Sequence, residues 1–423
     1  MLVHHSDEPR TVFLAAAASL RRLGELLDRR RIAVNCAILL VVELAIAAFL
    51  VAGTYGLIVP LDKPVTTDFV SFYAAGSLAD AGTPELAYDQ ATHHAAEQAA
   101  TAPGVPYIYF FYPPVFLLLC AALAQLPYLA AFLFFEGATL AAYLLVATAI
   151  LHERRWAILP LLAFPPLLWN FGWGQNAFLT AALFGAGTLL IDRRPVIAGL
   201  LFGAVCYKPH FGLLIPVAFA AGGHWRAFAS ASLSVAGLVL LSFLLFGAET
   251  WHHFLATALA SPATYEAGHV NLAAFVTPFG AMLLFGAPPG IAYMVQAVVT
   301  LIAFALVAII WYRGLPLAIR AAVLTSATLV AVPIALSYDL MLATIAVAWL
   351  CRSEGGISAP WRAVLAGLFL ICLYPPNVAE SAHLPTGPVV ALGLFAVVAA
   401  HAWREMASRS RAKAGRLEPA RAS

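Results

Sequence analysis

A handful of polar side chains stand out because the sequence around them is almost wholly apolar. Asp68 opens the run from Asp68 to Asp80 (DFVSFYAAGSLAD) and sits beside Phe69 and Phe72. A carboxylate so placed can act as a general base toward a hydroxyl, or it can cap the helix that follows. Lys208-Pro209-His210 interrupts a long apolar stretch. A lysine there is costly unless it faces a polar cavity or a partner. Lys and His together suit a phosphate, and a lysine snorkelling from a turn is the plainer alternative. Trp173-Gly174-Gln175-Asn176 offers two amides that can read sugar hydroxyls and an indole that can stack on a sugar face. It also fits a turn with a tryptophan at a membrane interface. Tyr338-Asp339 supplies a second candidate acid or a helix cap. Tyr265, Glu266, His269 and Asn271 form a polar group that either binds a ligand or is simply solvated. Tyr112-Pro113-Pro114 fixes an extended turn, and Glu43 and Glu136, inside apolar runs, are expected to face the interior and pair with other polar groups.

The elements that hold these residues must be membrane helices. The 423 residues are 62% hydrophobic and 10% charged, against the roughly 25% charged residues of a soluble domain. Apolar runs of bilayer-spanning length recur along the chain. The net charge of +2 carries no signature of nucleic-acid binding. Spans are expected at about 32–61, 128–151, 156–170, 176–192, 195–208, 210–223, 227–247, 289–312, 316–336, 338–351, 361–375 and 386–403. The shorter Pro-containing stretches 113–126 and 272–286 are read as re-entrant or interfacial. Twelve crossings then put every arginine cluster on the cytoplasmic side. Residues 1–31 form an amphipathic cytoplasmic segment, 32–403 one transmembrane domain, and 404–423 a basic cytoplasmic tail. The long polar loop 62–112 and the stretch 248–288 fall outside, as do most of the polar residues above. Within the first loop, Phe69, Phe72, Tyr73 and Gly76 share one face of a short helix. Thr83-Pro84-Glu85 reads as the capped start of a second. Both are expected to be amphipathic helices at the membrane surface.

Five cysteines, Cys36, Cys120, Cys206, Cys351 and Cys372, lie in or beside apolar runs without a CxxC pair, and read as small hydrophobes rather than a disulfide or metal framework. No Walker motif, dinucleotide fingerprint or HExxH occurs, so no nucleotide cofactor is expected, and no metal need be invoked.

Taken together these pieces resemble glycosyltransferase family 87, polyprenyl-phosphate-sugar-dependent enzymes of the GT-C fold that include mannosyltransferases. The resemblance rests on Asp68-Phe69 with Tyr73-Ala74-Ala75-Gly76, Gly82 with Tyr88-Asp89, and Phe111-Tyr112-Pro113-Pro114 running on to Leu126-Pro127. It continues through Gly174-Gln175-Asn176 and from Arg193-Arg194-Pro195 to Lys208-Pro209-His210. It is close from about residue 65 to 225 and looser beyond. It implies an all-α, GT-C-like bundle of about twelve transmembrane helices in the plasma (inner) membrane with both termini cytoplasmic. It further implies an extracytoplasmic site that transfers a mannose-like hexose, with inversion, from a polyprenyl-phosphate donor to a lipid or glycan acceptor. Asp68 would then be the base and Lys208 and His210 would lie near the donor phosphate. Tyr112, Gln175, Asn176, His269, Asn271, Tyr338 and Asp339 would contact substrate. One departure bears on the donor sugar: the mannosyltransferase branch carries a Trp-Asp-His-like step after a late proline, and here the run from Pro333 to Leu340 has no histidine. A transporter or lipid flippase is the competing reading. Such proteins often show internal repeats with paired broken helices, and no convincing repeat is visible.

Overall fold

The computed structural model describes residues 8–53, 68–267 and 270–417. These are helical apart from turns, connecting segments and one isolated antiparallel bridge between Phe275 and Leu336. The chain opens with α1 (Glu8–Leu26) and α2 (Arg29–Gly53). The first long loop carries α3 (Phe69–Asp80) and α4 (Gln90–Ala100). Then come α5 (Pro114–Ala124), α6 (Tyr128–Leu151), α7 (Ile158–Leu162), α8 (Pro165–Trp173), α9 (Ala177–Leu190), α10 (Pro195–Ala204) and α11 (Ile215–Ala221). The second half holds α12 (Trp225–Glu266), α13 (Pro278–Leu284), α14 (Pro289–Tyr312), α15 (Leu317–Val330), α16 (Met341–Arg352), α17 (Ala359–Ile371), α18 (Pro376–Ser381) and α19 (Thr386–Leu417).

Proline sets many of these starts. It occupies the first helical position of α5, α8, α10, α13, α14 and α18, where its missing N–H costs nothing and its fixed φ is already helical. The same residue breaks one of the expected spans and makes the turn expected between two others. The stretch 156–170 is split because Pro165 holds Phe164 in an extended conformation (φ −80°, ψ 115°). The apolar run around Lys208 is split by Pro209, with Lys208 at φ −121°, ψ 74°.

Among the described residues, five helices are long and apolar enough to cross a membrane: α2, α6, α12, α14 and α19. The chain is thus a membrane-embedded protein, and the lipid-facing leucines of α12, such as Leu233 and Leu244, are exposed accordingly. The remaining expected spans are carried by shorter helices, among them α9, α10, α15 and α17. An expectation of twelve crossings therefore requires short helices to work in series.

The stretch after residue 247 departs from the expected turn. Gly247 (φ +80°, ψ 171°), in a conformation a side chain would resist, interrupts α12 where the span was expected to end, but a second helical part of α12 runs on from there to Glu266. Tyr265 near its end packs on Phe111 and Phe275, at ring distances of 5.6 and 5.9 Å. Those tertiary contacts hold helical a segment with several poor helix formers.

Helix α15 is the axis of the bundle. Every side chain from Ile319 to Val330 is buried, and α15 packs against α14, α16 and α19. Arg320 closes one end: its Nη2 donates to Asp192 (2.6 Å), its Nη1 lies 3.0 Å from His224 Nε2, and its guanidinium stacks on Trp311. The core spreads outward from there through Tyr143, Phe178, Phe184, Phe202, Phe219 and Trp349.

The first loop forms a second, smaller core. Phe69, Phe72, Phe110, Phe116 and Phe135 pack together, with α3 lying across α5. Helix α3 is enclosed on more sides than a surface helix would be, because Val70, Ser71, Ala74 and Ala75 are buried along with Phe69 and Phe72. The start expected at Thr83 takes another form. Residues Pro84–Tyr88 make a 3-10 turn, and the Thr83 hydroxyl donates back to the Leu78 carbonyl instead of capping. Asp89 caps the true helix, α4, by accepting from the Thr92 N–H at 2.9 Å.

Candidate active site

The site begins with a glycine. Gly174 ends α8 in the left-handed conformation (φ +65°), and a β-carbon there would lie 2.6 Å from the Cβ of Phe69. Both demands exclude any other residue without strain. The close approach brings the turn 174–176 against the first residue of α3, and so brings Gln175 to Asp68. The Gln175 Nε2 donates to Asp68 Oδ2 at 2.8 Å. On its other side the Gln175 Oε1 accepts from the Tyr112 hydroxyl and from the Asn176 N–H, both at 3.3 Å. With the oxygen engaged twice, the amide can present only its NH₂ to the carboxylate.

Asp68 is thus no helix cap: its side chain makes no capping bond to α3. It is half-buried. Burial pushes its carboxyl above the usual carboxylate range, and the Gln175 hydrogen bond pulls it partway back.

Asn170 holds the turn from beneath. Its Oδ1 accepts from the Ala177 N–H at 2.9 Å, and its Nδ2 donates to the Gln175 carbonyl at 2.8 Å and to Glu136 Oε2 at 3.2 Å. Asn170 and Glu136 are fully buried. The inward orientation expected of Glu136 is therefore real, and Asn170 is its partner. An asparagine in an apolar run five residues before Gln175 was the available signal for this clasp.

The facing wall is an ion pair. Lys208 Nζ donates to Asp339 Oδ1 at 2.8 Å, with both side chains almost fully buried. Asp339 Oδ2 accepts from the Leu336 N–H at 3.0 Å. Lys208 also lies 5.0 Å from the Tyr338 ring and 5.4 Å from that of Phe211. The Tyr338 ring meets Trp173 edge-on at 6.0 Å. Phe116 joins the walls, packing on Tyr112 at 4.6 Å and on Tyr207 at 5.2 Å. Asn176 is fully buried on the inner side of the turn, and neither of its amide atoms makes a hydrogen bond of good geometry among the described residues.

Seven of the expected residues thus gather in one place: Asp68, Tyr112, Gln175 and Asn176 on one wall, and Lys208, Tyr338 and Asp339 on the other. The rest are set differently. His210 follows on the 3-10 turn Pro209–Gly212 with its ring exposed against Phe211. Asn271 caps the next turn, accepting from the Ala273 and Ala274 N–H groups, and donates to Asn377. Its segment reaches the site indirectly, because the Ser337 hydroxyl donates to the Ala274 carbonyl at 2.8 Å. His269 lies outside the described residues.

Chemically, this is a carboxylate with access to solvent, oriented by an amide and lined by aromatic rings, opposite a buried cation that already has a counter-ion. The family model of glycosyltransferase family 87 matches residues 110–337, more than half of the chain. The chain belongs to glycosyltransferase family 87. No curated protein and no solved structure matches it. The family match confirms the resemblance drawn from the motifs, and it extends further toward the C-terminus than they do. It begins after Asp68 and ends before Tyr338, so geometry alone groups those residues, with Asp339, with the matched segment.

Proposed function

We propose that this family 87 glycosyltransferase moves a mannose-like hexose, with inversion, from a polyprenyl-phosphate donor to a hydroxyl of a lipid or glycan acceptor on the extracytoplasmic side of the plasma membrane. The observation that carries this reading is the pairing of Asp68 with Gln175 across from Lys208. In the proposed step the acceptor hydroxyl gives its proton to Asp68 while its oxygen attacks the anomeric carbon. The bond from that carbon to the donor phosphate breaks on the opposite face, and the polyprenyl phosphate leaves with the electron pair.

The carboxyl suits the base role because burial raises its proton affinity. Stabilising the charge that develops on the leaving phosphate is the larger task, and Lys208, with His210 beside it on the same turn, is assigned to it. The Lys208–Asp339 bond implies that donor phosphate competes with Asp339 for the ammonium group. Tyr112, Asn176 and Tyr338 would line the hexose, with Asn271 on the later loop. No nucleotide or metal cofactor is part of this scheme. Arginines flanking the spans support cytoplasmic termini and twelve crossings.

The test is transfer in reconstituted membranes, from a panel of radiolabelled polyprenyl-phosphate sugars to a membrane lipid extract, with Asp68→Asn beside wild type. Transfer by wild type and none by a well-folded Asp68→Asn is the expected result. Equal transfer by both would move the base elsewhere. No transfer from any donor, together with lipid flipping by wild type, would favour a flippase instead.

A further inference from the structure

At the opposite end of the bundle from Asp68 there is a second opening. A cavity of about 790 Å³ lies between α2 and the faces of α7, α16, α17 and α19, near the upper end of the usual size for ligand pockets. Helix α2 meets the bundle through α7, α8 and the turn His152–Ala157, and leaves a gap where α16, α17 and α19 face it. Most of the gap is apolar, lined by residues such as Phe164, Leu365, Phe369 and Leu373.

Its other end is basic. Arg29, Arg154 and Arg362 all line it, with Arg29 stacked on Trp156 at 5.3 Å. Buried N–H groups there await acceptors: Arg154 Nη1, Arg362 Nε and Trp156 Nε1 have no hydrogen-bond partner among the described residues. Buried donors of this kind are normally satisfied, since an unpaired one has given up its hydrogen bond to water without a replacement. The polar groups sit at one end of a long apolar slot, as phosphate and acyl chains do in a lipid.

The position separates this cavity from the transferase site. Tyr128, at the start of α6, packs on Phe69 next to Asp68. Arg154 follows the other end of the same helix, which at about 1.5 Å per residue is roughly a bilayer's thickness away. The basic end carries the arginines assigned to the cytoplasmic side.

We propose that this cavity is a binding site for one anionic phospholipid of the cytoplasmic leaflet. Its phosphate is held by Arg154, Arg362 and Trp156, and its acyl chains fill the gap between α2 and the bundle. Basic pockets between membrane helices on that side are suited to anionic headgroups, and in a bilayer an apolar gap of this size is filled by lipid rather than water.

Native mass spectrometry of the full chain, purified in mild detergent and loaded with phosphatidylglycerol or phosphatidylcholine, tests the assignment. Wild type should retain phosphatidylglycerol over phosphatidylcholine. The double variant Arg154→Gln/Arg362→Gln should lose that preference by about tenfold or more, whereas Arg193→Gln/Arg226→Gln, at exposed arginines elsewhere, should keep it. Leu365→Trp fills the slot with every arginine in place and should lower retention of both lipids, so the test survives if the arginine variant does not fold. Equal retention of the two lipids by wild type, or an unchanged preference in Arg154→Gln/Arg362→Gln, would overturn the proposal. So would displacement of phosphatidylglycerol by an equal concentration of polyprenyl phosphate, which would make the cavity a carrier-lipid site.

Discussion

Among individual residues, the Lys208–Asp339 pair is where stability and function meet. Removing one member of a buried ion pair leaves the other charged, desolvated and alone, at a cost of about 3–5 kcal/mol. Asp339→Asn should therefore destabilise the chain by an amount of that order. Replacing both residues by uncharged groups of similar volume, as in Lys208→Met/Asp339→Leu, should recover much of the loss. If Lys208 also receives the donor phosphate, the double variant will fold yet bind donor poorly. Thermal unfolding in detergent and the apparent KM for a polyprenyl-phosphate sugar report the two effects separately. Recovery of both stability and KM in the double variant would show that the pair is structural only. Neither partner of this bond could be matched from the sequence, because 131 residues separate them. The same holds for Gln175 and Asp68, 107 residues apart. Residue type and a polar break in an apolar run were enough to single out each of them. Only the fold could say which meets which.

Among elements, the turn after α8 and the first loop carry the most consequence. Gly174→Ala forces a positive φ on a residue with a side chain, at about 1–3 kcal/mol, and drives its β-carbon against Phe69. Turnover should fall further than stability alone explains, because the Gln175–Asp68 bond shifts with the turn; turnover that falls only in step with the melting temperature would argue against that coupling. In the first loop a buried pair predicts a pH effect. Glu97 and His93 are fully buried, 3.7 Å apart, with Glu97 accepting from the Ile108 N–H and His93 Nε2 lying 3.1 Å from the Ser71 carbonyl. Burial pushes the Glu97 carboxyl up to about 8 and the His93 imidazole down to about 4. A carboxyl whose folded value is raised contributes stability that is fully present below its unfolded value, near 4.5, and is lost as pH rises toward 8. A histidine whose folded value is lowered works the other way, losing stability as pH falls from 6.5 toward 4. Between pH 6.5 and 8 the Glu97 contribution changes and that of His93 does not. The melting temperature should fall with rising pH across that window in wild type and change much less in Glu97→Gln. Equal slopes in the two proteins would assign the dependence to other groups. Helix α3 of this loop was legible from the spacing of Phe69, Phe72 and Gly76. That His93 and Glu97 face inward was not, because the stripe of small apolar residues on α4, Ala91, Ala95 and Ala99, lies on the opposite, exposed face.

On the scale of the whole molecule, the long spans could be read directly, since hydropathy over twenty or so residues is a strong signal. Helices α6, α14 and α19 begin close to where the sequence places them. The short central helices were harder. A run such as Ile319 to Val330 is buried on all sides by protein rather than lipid, and the two surroundings favour the same side chains. Composition therefore cannot count crossings, and the face of the membrane that holds the active site rests on where the arginines fall. Two exposed positions decide it. Pro103 lies in the first loop on the Asp68 side, and Ser410 lies in the tail helix among Arg404, Arg409 and Arg411. In intact cells, a membrane-impermeant maleimide should label Pro103→Cys at once and Ser410→Cys only after permeabilisation. The native cysteines are buried or half-buried, so background labelling should be low. The reverse pattern would put Asp68 on the cytoplasmic side and the arginine-lined cavity outside. Donor lipid would then have to present its sugar to the cytoplasm, and the cavity would face the other leaflet. One labelling experiment therefore constrains both sites, because the length of α6 fixes them on opposite sides of the membrane.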